Sequence, residues 1–281
     1  MSLSLYLAHA SQRLAPVSPS ARMDIEVLAM HVCGLDRAEL VTHGDDDLSP
    51  EQIRQLDILV SRRATGEPIA YLTGRREFWS LDLRVTPDTL IPRPETELLV
   101  SLALSWIPPH AGWRIADLGT GSGAIALALA RERPGCLLVA TDVSPAAIAV
   151  ARDNACSYGL GHVTFREGNW LAALAGERFG LIVSNPPYIP DDDPHIDSGD
   201  VRFEPRMALR GGCDGLAAIR EIAGGAQEHL EPGGWLLLEH GYNQARPVRE
   251  ILVRNGYQDC ASFMDLAGHF RVSAGCRRQS G

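Results

Sequence analysis

Apolar and polar positions follow two different periods along the chain, and the change between them divides the sequence into two parts. Up to residue 66, apolar residues recur three or four positions apart, as in Ile25, Leu28 and Val32, which is the period of an amphipathic helix. Ser49 is followed directly by a proline, a pair typical of a helix N-terminus. Residues 1–66 are therefore predicted to form a small helical bundle.

After Trp113 the pattern changes to short apolar runs that alternate with helical stretches. Apolar runs of roughly four to eight residues between turn signals are typical of buried strands. Their alternation with helices predicts a mostly parallel sheet with helices on both faces, and thus an α/β fold. The predicted strands are 114–118, 137–140, 163–166, 179–183, 235–238, about 257–263 and 269–275, and the predicted helices are 124–131, 145–158, 216–230 and 244–255.

Residues 67–89, between these two parts, show neither the helical period nor the alternation of strands and helices. Glycine and proline interrupt residues 67–89, and the apolar residues from Phe78 to Val85 alternate as in a short hairpin. The interpretation is a hairpin connector between the helical segment and a second domain over residues 90–281. Near the start of that domain, Glu95 and Glu97 are expected in the first turn of a helix, where acidic side chains favour the helix dipole.

Polar and glycine residues follow several of the predicted strands directly. In an open α/β sheet, ligands bind at the carboxyl ends of the strands, so these residues are expected at one site. Residues 119–123, here called the glycine turn, permit close backbone approach to a ligand, and Asp142 can accept hydrogen bonds from ribose hydroxyls. The glycine spacing differs from the pyrophosphate fingerprint, so a cofactor without phosphate fits as well or better.

Residues 185–188, the sequence Asn-Pro-Pro-Tyr, are here called the proline turn. The two consecutive prolines have no N–H to donate to a sheet, so the preceding strand must end there. The Asn185 amide oxygen and the Pro186 carbonyl then form a rigid pair of acceptors suited to an –NH2 group, and the Tyr188 ring can pack against a flat amide. Taken alone, the motif also fits a proline-rich loop without chemistry.

Composition limits the remaining alternatives. The net charge of −9 disfavours a broad nucleic-acid surface, and all 26 basic residues are arginine, which excludes lysine-based covalent mechanisms. The six cysteines include no C-x-x-C pair, and no apolar run or secretory signal is apparent that would indicate a membrane or exported protein. A cytoplasmic protein is expected. The acidic residues and His195 within 191–197 fit a solvated loop better than a metal site, so no metal is predicted. Arg93, Glu204 and Pro205 are expected to shape the pocket rather than to transfer protons.

Several motifs together resemble a known family. Residues 117–123 with Asp142 resemble the cofactor site of class I S-adenosylmethionine methyltransferases, and the proline turn resembles the signature of enzymes that methylate planar nitrogen. Residues 66–74, 90–97 and 203–216 narrow the resemblance to the HemK/PrmC family, and the match extends over about residues 66–272. That family methylates the glutamine of the Gly-Gly-Gln tripeptide in class 1 peptide chain release factors.

The resemblance implies a Rossmann-like fold with a mostly parallel seven-stranded sheet and a helical docking domain at residues 1–66. It implies S-adenosyl-L-methionine as cofactor, S-adenosyl-L-homocysteine as product and release factors as protein substrate. A monomer without direct nucleic-acid or membrane partners is expected. The implied catalytic residues are Asn185, Pro186 and Tyr188. The implied substrate-binding residues are Asn185, Pro186, Pro187 and Tyr188, and the implied cofactor-binding residues are Gly119, Thr120, Gly121, Ser122, Gly123, Asp142, Asn169, Trp170 and Asn185.

One position departs from the family pattern, because Asn169 stands where an acidic residue is common. An amide oxygen can still accept a hydrogen bond from an adenine amino group, but without charge. Two other classes stay open: a nucleic-acid amino methyltransferase with the same proline turn, which needs a basic face, and a non-catalytic docking protein, which needs neither turn intact.

Overall fold

The computed structural model describes residues 1–279, and the chain forms two compact units. The first unit comprises Met1–Arg75 together with Ser198–Phe203, a short segment from far along the chain. The second unit comprises Arg76–Asp197 and the chain from Glu204 onward. No helix among the described residues is long and apolar enough to cross a membrane.

The first unit is a helical bundle, as the periodicity predicted. The helix that begins at Pro50 has a capping box at its N-terminus. Ser49 Oγ accepts the Gln52 backbone N–H, and the Ser49 backbone N–H donates to Gln52 Oε1. Leu28 and Leu56 lie in its buried core, whereas Leu5, which begins the apolar pattern, is 47% exposed because Tyr6 and its neighbours occupy the inner face. The helices are α1 (Leu3–Leu14), α2 (Ala21–Cys33), α3 (Arg37–Thr42), α4 (Pro50–Ala64) and α5 (Ile69–Thr73).

A buried charge cluster within the first unit was not apparent from the sequence. Arg63 on α4 donates to Asp24 on α2 at 2.7 Å and to Asp200 at 2.8 Å, and Ser18 donates to Asp24 at 2.7 Å. The Arg63 and Asp24 side chains are only 7% and 9% exposed. These bonds attach the segment Ser198–Phe203 to the bundle, and the buried charges of Arg63 and Asp24 compensate each other away from water.

Arg63→Met is expected to destabilise the first unit by about 3 kcal/mol, because it leaves the Asp24 carboxylate buried without its cation. Hydrogen exchange of α2 and α4 in the full chain measures the loss. The matched control is Arg62→Met, since Arg62 is 49% exposed and its pair with Glu67 contributes less than about 1 kcal/mol. Equal exchange rates in the two variants would show that the cluster does not stabilise the bundle.

The second unit contains a seven-stranded sheet whose strand order is β5-β4-β3-β6-β7-β9-β8. The pairs among β3 to β7 are parallel, and β9 runs antiparallel to both β7 and β8. The predicted fold class and the strand-helix alternation are confirmed. The strands are β3 (Arg114–Leu118), β4 (Leu137–Asp142), β5 (Thr164–Glu167), β6 (Phe179–Ser184), β7 (Leu230–Glu239), β8 (Gln258–Met264) and β9 (Phe270–Cys276), and the helices are α6 (Glu97–Trp106), α7 (Ala124–Glu132), α8 (Pro145–Ser157), α9 (Ala217–His229) and α10 (Ala245–Arg254).

Strand β7 differs most from its prediction, because it begins at Leu230 rather than Trp235. Leu230 pairs with Phe179, and the register shifts before Leu181 pairs with Trp235. The residues between Leu230 and Trp235 are polar, proline or glycine, so a search for apolar runs does not detect this first part of the strand.

The hairpin expected before residue 90 consists of β1 (Arg75–Phe78) and β2 (Leu81–Arg84). Its two turn residues, Trp79 and Ser80, have φ angles of 52° and 56°, which is the geometry of a tight type I′ hairpin turn. Phe78 joins the same hydrophobic core as Leu181 of the central sheet. The hairpin therefore packs as part of the second unit.

The sheet register brings the predicted site residues together. Leu118 on β3 is paired with Thr141 on β4 and with Ser184 on β6, and Ser184 is paired in turn with Leu238 on β7. The next residues along these strands are Gly119, Asp142, Asn185 and Glu239. The glycine turn, Asp142 and the proline turn therefore lie next to one another at one edge of the sheet.

Candidate active site

A cavity of about 220 Å³ lies at this edge of the sheet in the second unit. It is lined both by residues that the sequence singled out and by residues that it did not. Those predicted are Gly119, Gly121, Asp142, Asn169, Trp170, Asn185, Pro187 and Pro205. Those missed are Pro87, Asp88, Thr89, Leu90, Val143, Ser144, Ala147, Gly168, Met207 and Ala208.

The glycine turn forms the floor of the cavity. The N–H groups of Gly119 and Thr120 both donate to the Thr141 carbonyl at 2.9 Å, and the Gly121 N–H donates to Asp142 Oδ2 at 2.9 Å. Gly119 has a φ of 72°, and a Cβ at this position would lie 2.9 Å from the Trp170 ring. Glycine is therefore required at this residue both for its backbone conformation and for the close approach of the ring.

Three other residues of the glycine turn do not line the cavity. Thr120 donates its hydroxyl to Asp117 Oδ2 at 2.7 Å, and the Ser122 carbonyl accepts from Asn154 Nδ2 at 2.8 Å. Gly123 is the N-cap of helix α7. These groups support the turn from behind, so their predicted contact with a cofactor remains a prediction.

Asp142 is held by backbone donors at the end of β4. Its Oδ1 accepts the Ser144 N–H at 2.9 Å, while Oδ2 accepts the Gly121 N–H. Burial raises the pKa of Asp142, and the backbone hydrogen bonds partly oppose that change by favouring the carboxylate. Each carboxylate oxygen has a further lone pair, so Asp142 can accept additional donors such as the hydroxyls of a ribose.

Asn169 and Trp170 form the opposite side of the cavity. Trp170 has a φ of 44°, and its carbonyl accepts the Thr141 hydroxyl at 3.3 Å. Asn169 Nδ2 donates to Glu221 Oε1 at 3.0 Å, which leaves the amide oxygen as the free acceptor of this side chain. Glu221 lies on α9, distant in sequence, and no local pattern indicated it.

Asn185 is the polar centre of the proline turn. Its Nδ2 donates to Thr96 Oγ1 at 3.2 Å, whereas Oδ1 is buried and has no hydrogen-bond partner among residues 1–279. An unsatisfied buried oxygen costs free energy unless a ligand donates to it. Pro187 lines the cavity with Asn185, while Pro186 and Tyr188 lie outside the lining residues.

The backbone after the proline turn is anchored on two sides. Gln244 donates its Nε2 to the Tyr188 carbonyl at 3.0 Å, and its Oε1 accepts the Gly241 N–H at 2.8 Å. On the other side, the Ile189 N–H donates to the Leu209 carbonyl at 3.0 Å. These contacts fix where the turn points, and Gln244 was not identified from the sequence.

Glu204 connects two walls of the site. Its side chain is fully buried, forms an ion pair with Arg93, and accepts the Ile91 N–H at 3.0 Å. This agrees with the expectation that Arg93 and Glu204 shape the pocket. His240 is likewise satisfied structurally, because its Nε2 lies 2.8 Å from Ser273 Oγ.

Within the described residues, no group of three or more His, Cys, Asp or Glu side chains is arranged to hold a metal ion. His195, in the acidic loop considered from the sequence, contacts Asp193 at 2.7 Å with its side chain exposed.

Two buried carboxyl groups behind the cavity have strongly altered acidity. Burial raises the pKa of Glu239 to about 7, while the nearby Thr96 side chain and the charge of Arg271 partly counteract it. Burial likewise raises the pKa of Asp117 to about 7, opposed by the hydrogen bond from Thr120 and by the nearby Ala126 backbone N–H. Burial also raises the pKa of Tyr188, and the nearby Glu239 adds to this effect.

Glu239→Gln should gain stability relative to the wild type as pH rises from about 5 to 8. A raised carboxyl pKa means that the folded chain favours the protonated acid. Glu239 therefore makes its full contribution to wild-type stability below its ordinary pKa, and this contribution is lost as pH rises through about 7. Because glutamine stays neutral, the difference can approach about 3 kcal/mol. Urea unfolding followed by tryptophan fluorescence measures it, since all five tryptophans lie in the second unit. Parallel pH profiles for the two proteins would contradict the assignment.

Comparison with known proteins is consistent with this geometry. A family model described as the PrmC N-terminal domain matches residues 6–74, and one described as the methyltransferase small domain matches residues 96–198. A release factor glutamine methyltransferase of Xylella fastidiosa (strain Temecula1) is 52% identical over 269 residues, which is 96% of each chain. One of Escherichia coli (strain K12) is 48% identical and covers 92% of this chain and 93% of its own.

This chain belongs to the release factor glutamine methyltransferase family. A solved methyltransferase from Pyrococcus furiosus shares the fold, with a TM-score of 0.56 at 20% identity over 78% of this chain and 97% of that one. Release factor glutamine methyltransferases depend on S-adenosylmethionine, which is therefore the cofactor of this chain.

The cavity fits that cofactor. Asp142 offers acceptors for hydroxyl groups, the Trp170 ring forms an apolar wall, and the space beside Gly121 is open, with no atom within 4 Å of where a Cβ would stand. The unpartnered Asn185 Oδ1 adds an acceptor beside this space. A nucleoside with an attached amino acid needs this combination of acceptors, apolar wall and close backbone approach.

Proposed function

We propose that the chain transfers a methyl group from S-adenosylmethionine to the side-chain amide nitrogen of the glutamine in the Gly-Gly-Gln tripeptide of class 1 peptide chain release factors. The observation that carries the proposal is the buried, unpartnered Asn185 Oδ1 on the cavity wall. A buried acceptor without a donor is stabilised when a ligand donates an N–H to it, and a glutamine amide can donate one.

Within the cavity, Asp142 would bind the ribose and Trp170 with Asn169 would flank the adenine. Residues Gly119 to Gly123 would lie against the methionine part. When bound, S-adenosylmethionine supplies a methyl group activated by its sulfonium. Asn185 would contact both the cofactor and the substrate, so it stands where the two must meet.

An amide nitrogen is a poor nucleophile because its lone pair is delocalised into the carbonyl. The chain has no lysine, so the rate must rest largely on positioning and electrostatics. Asn185 Oδ1 and the Pro186 carbonyl would accept both N–H groups of the glutamine, increase the electron density on nitrogen and aim it at the methyl group. Pro187 would complete the wall and the Tyr188 ring would pack against the amide plane.

Specificity for glutamine follows from the same two oxygens. A glutamate side chain would place oxygen against oxygen, which is repulsive and leaves both protein acceptors unpaired. The proposed role of residues 1–66 is to dock the release factor, with residues 67–89 as connector and residues 90–281 as catalytic domain. A monomer in the cytoplasm, where release factors act, completes the proposal.

The test is incubation with labelled S-adenosylmethionine and a class 1 release factor, beside a variant of that factor in which the Gly-Gly-Gln glutamine is changed. Label is expected in the first protein and not in the second. Label in both, or only in co-purified nucleic acid, would overturn the proposal. The second outcome would favour a nucleic-acid amino methyltransferase, which the net charge of −9 disfavours.

A further inference from the structure

The Asn169 amide lines the cavity and is hydrogen-bonded from outside it by Glu221 of α9. Asn169 Nδ2 donates to Glu221 Oε1 at 3.0 Å, and Glu221 is not a lining residue. A primary amide has a donor end and an acceptor end. Because Glu221 binds the donor end, the oxygen Oδ1 is the end that a ligand in the cavity can reach.

The chemistry of the two side chains fixes the direction of this hydrogen bond. A carboxylate has no proton to donate, so it can only accept. If the Asn169 amide turned over, its oxygen would face the Glu221 carboxylate and the hydrogen bond would be lost. Arg220, the cation next to Glu221 in the chain, is paired with Asp214 instead. Glu221 therefore favours the amide orientation with –NH2 toward α9.

The two elements that carry this pair are packed against each other. The short 3-10 helix Trp170–Leu174 follows Asn169 directly, and Leu171 packs against the hydrophobic cluster to which α9 contributes. A Cβ on Gly225 of α9 would lie 2.7 Å from Leu171 Cδ1, so the glycine permits this close approach. The separation of Asn169 and Glu221 is therefore set by packed structure.

An acceptor at this point of the cavity distinguishes purine bases by the group at their 6-position. Adenine carries an amino group there and donates a hydrogen bond. Hypoxanthine carries a carbonyl oxygen at the same position and can only accept there. The Asn169 oxygen therefore suits adenine, whereas the –NH2 end of a turned amide would suit the 6-oxopurine.

We propose that Glu221 is a positioning residue that holds the Asn169 amide oxygen toward the adenine amino group, and thereby sets the preference of the cofactor site for adenine over a 6-oxopurine. The inference rests on the placement of the adenine beside Asn169 in the proposed function. It also explains why an amide suffices at this position. A carboxylate accepts in either orientation, whereas an amide needs a partner that fixes which end faces the ligand.

The test measures the binding of S-adenosylhomocysteine and of its 6-oxo analogue, S-inosylhomocysteine, to the full chain by calorimetry. The wild type is expected to bind the adenine compound more tightly. Glu221→Lys should turn the amide over, because an ammonium group donates to Oδ1 and leaves –NH2 toward the cavity. The preference for the adenine compound is expected to fall about fivefold, which corresponds to the loss of one hydrogen bond.

Two further variants separate the amide orientation from the change of charge. Glu228→Lys makes the same change of charge at an exposed position of α9 that does not line the cavity, and it should keep the wild-type preference. Asn169→Asp combined with Glu221→Lys should restore the preference for adenine, because both oxygens of a carboxylate accept.

Three results would overturn the inference. They are a wild type without preference for the adenine compound, equal weakening of both ligands by Glu221→Lys, and failure of the added Asn169→Asp to restore the preference. Calorimetry with these ligands needs no release factor, so its result is separate from the methylation test. A wild type that prefers adenine but does not methylate the release factor would refute the proposed function and support the role of Glu221.

Discussion

Asn185→Ala is expected to reduce methyl transfer about 10³-fold while the affinity for S-adenosylmethionine falls only modestly. The substitution removes the buried oxygen for which the described part of the chain offers no hydrogen-bond donor, so it deletes the acceptor proposed for the substrate N–H. Loss of one preorganised polar group at a reacting centre typically costs between about 10²- and 10³-fold in rate. Asp142 and Trp170 still line the cavity in the variant, so most cofactor contacts persist.

Two measurements are required, a methylation assay with the release factor and calorimetry with the cofactor. Asn243→Ala is a matched control, because Asn243 is an exposed asparagine of the same unit that does not line the cavity. It should behave as the wild type in both assays. Parallel loss of rate and cofactor affinity in Asn185→Ala would show that this residue acts only through the cofactor.

Gly215→Ala is expected to reduce activity about 10²-fold by displacing the proline turn. Gly215 has a φ of 73°, and a Cβ there would lie 2.2 Å from the Tyr188 carbonyl oxygen and 2.7 Å from Gln244 Nε2. Those two atoms form the hydrogen bond that anchors the turn, so a new methyl group must push them apart. A displacement of about 1 Å at a positioned group costs on the order of 10²-fold in rate.

The control is Gly256→Ala, which separates backbone strain from the clash. Gly256 has a similar φ of 82°, but no atom lies within 4 Å of its potential Cβ. Both variants should lose about 1–2 kcal/mol of stability from the left-handed backbone, measured by urea unfolding. Only Gly215→Ala should lose activity at a temperature where both proteins are folded. Similar activities in the two variants would contradict the proposed role of the anchored turn.

Local sequence patterns were sufficient for the order of elements and for much of the cavity wall. A continuous apolar run such as that of β6 predicts a strand that is buried on both faces. The structure agrees, since Leu181 and Ile182 pack into different hydrophobic cores. The two prolines after Asn185 end that strand in any fold, since they have no N–H to donate. Glycine spacing and the acidic residue at the end of β4 likewise mark positions where a ligand approaches the backbone.

The sequence did not indicate the supporting residues, because their roles depend on contacts between distant segments. Thr96 and Asn185 are 89 positions apart, and only the fold brings them within hydrogen-bond distance. Gln244 and Glu221 are similar cases, since each hydrogen-bonds a residue more than 50 positions away. No periodicity in a window of a few residues carries that information.

The sequence by itself determined the fold class, the helical first segment and the chemical character of the two turns, because these depend on local burial, backbone freedom and missing donors. Tertiary structure alone decided which oxygen of the proline turn is left without a partner and which side chains hold it there. The physical reason is that a hydrogen bond has direction. Asn185 Nδ2 donates to Thr96 Oγ1, and only the fold places Thr96, which directly precedes the helix that begins at Glu97, beside the end of β6.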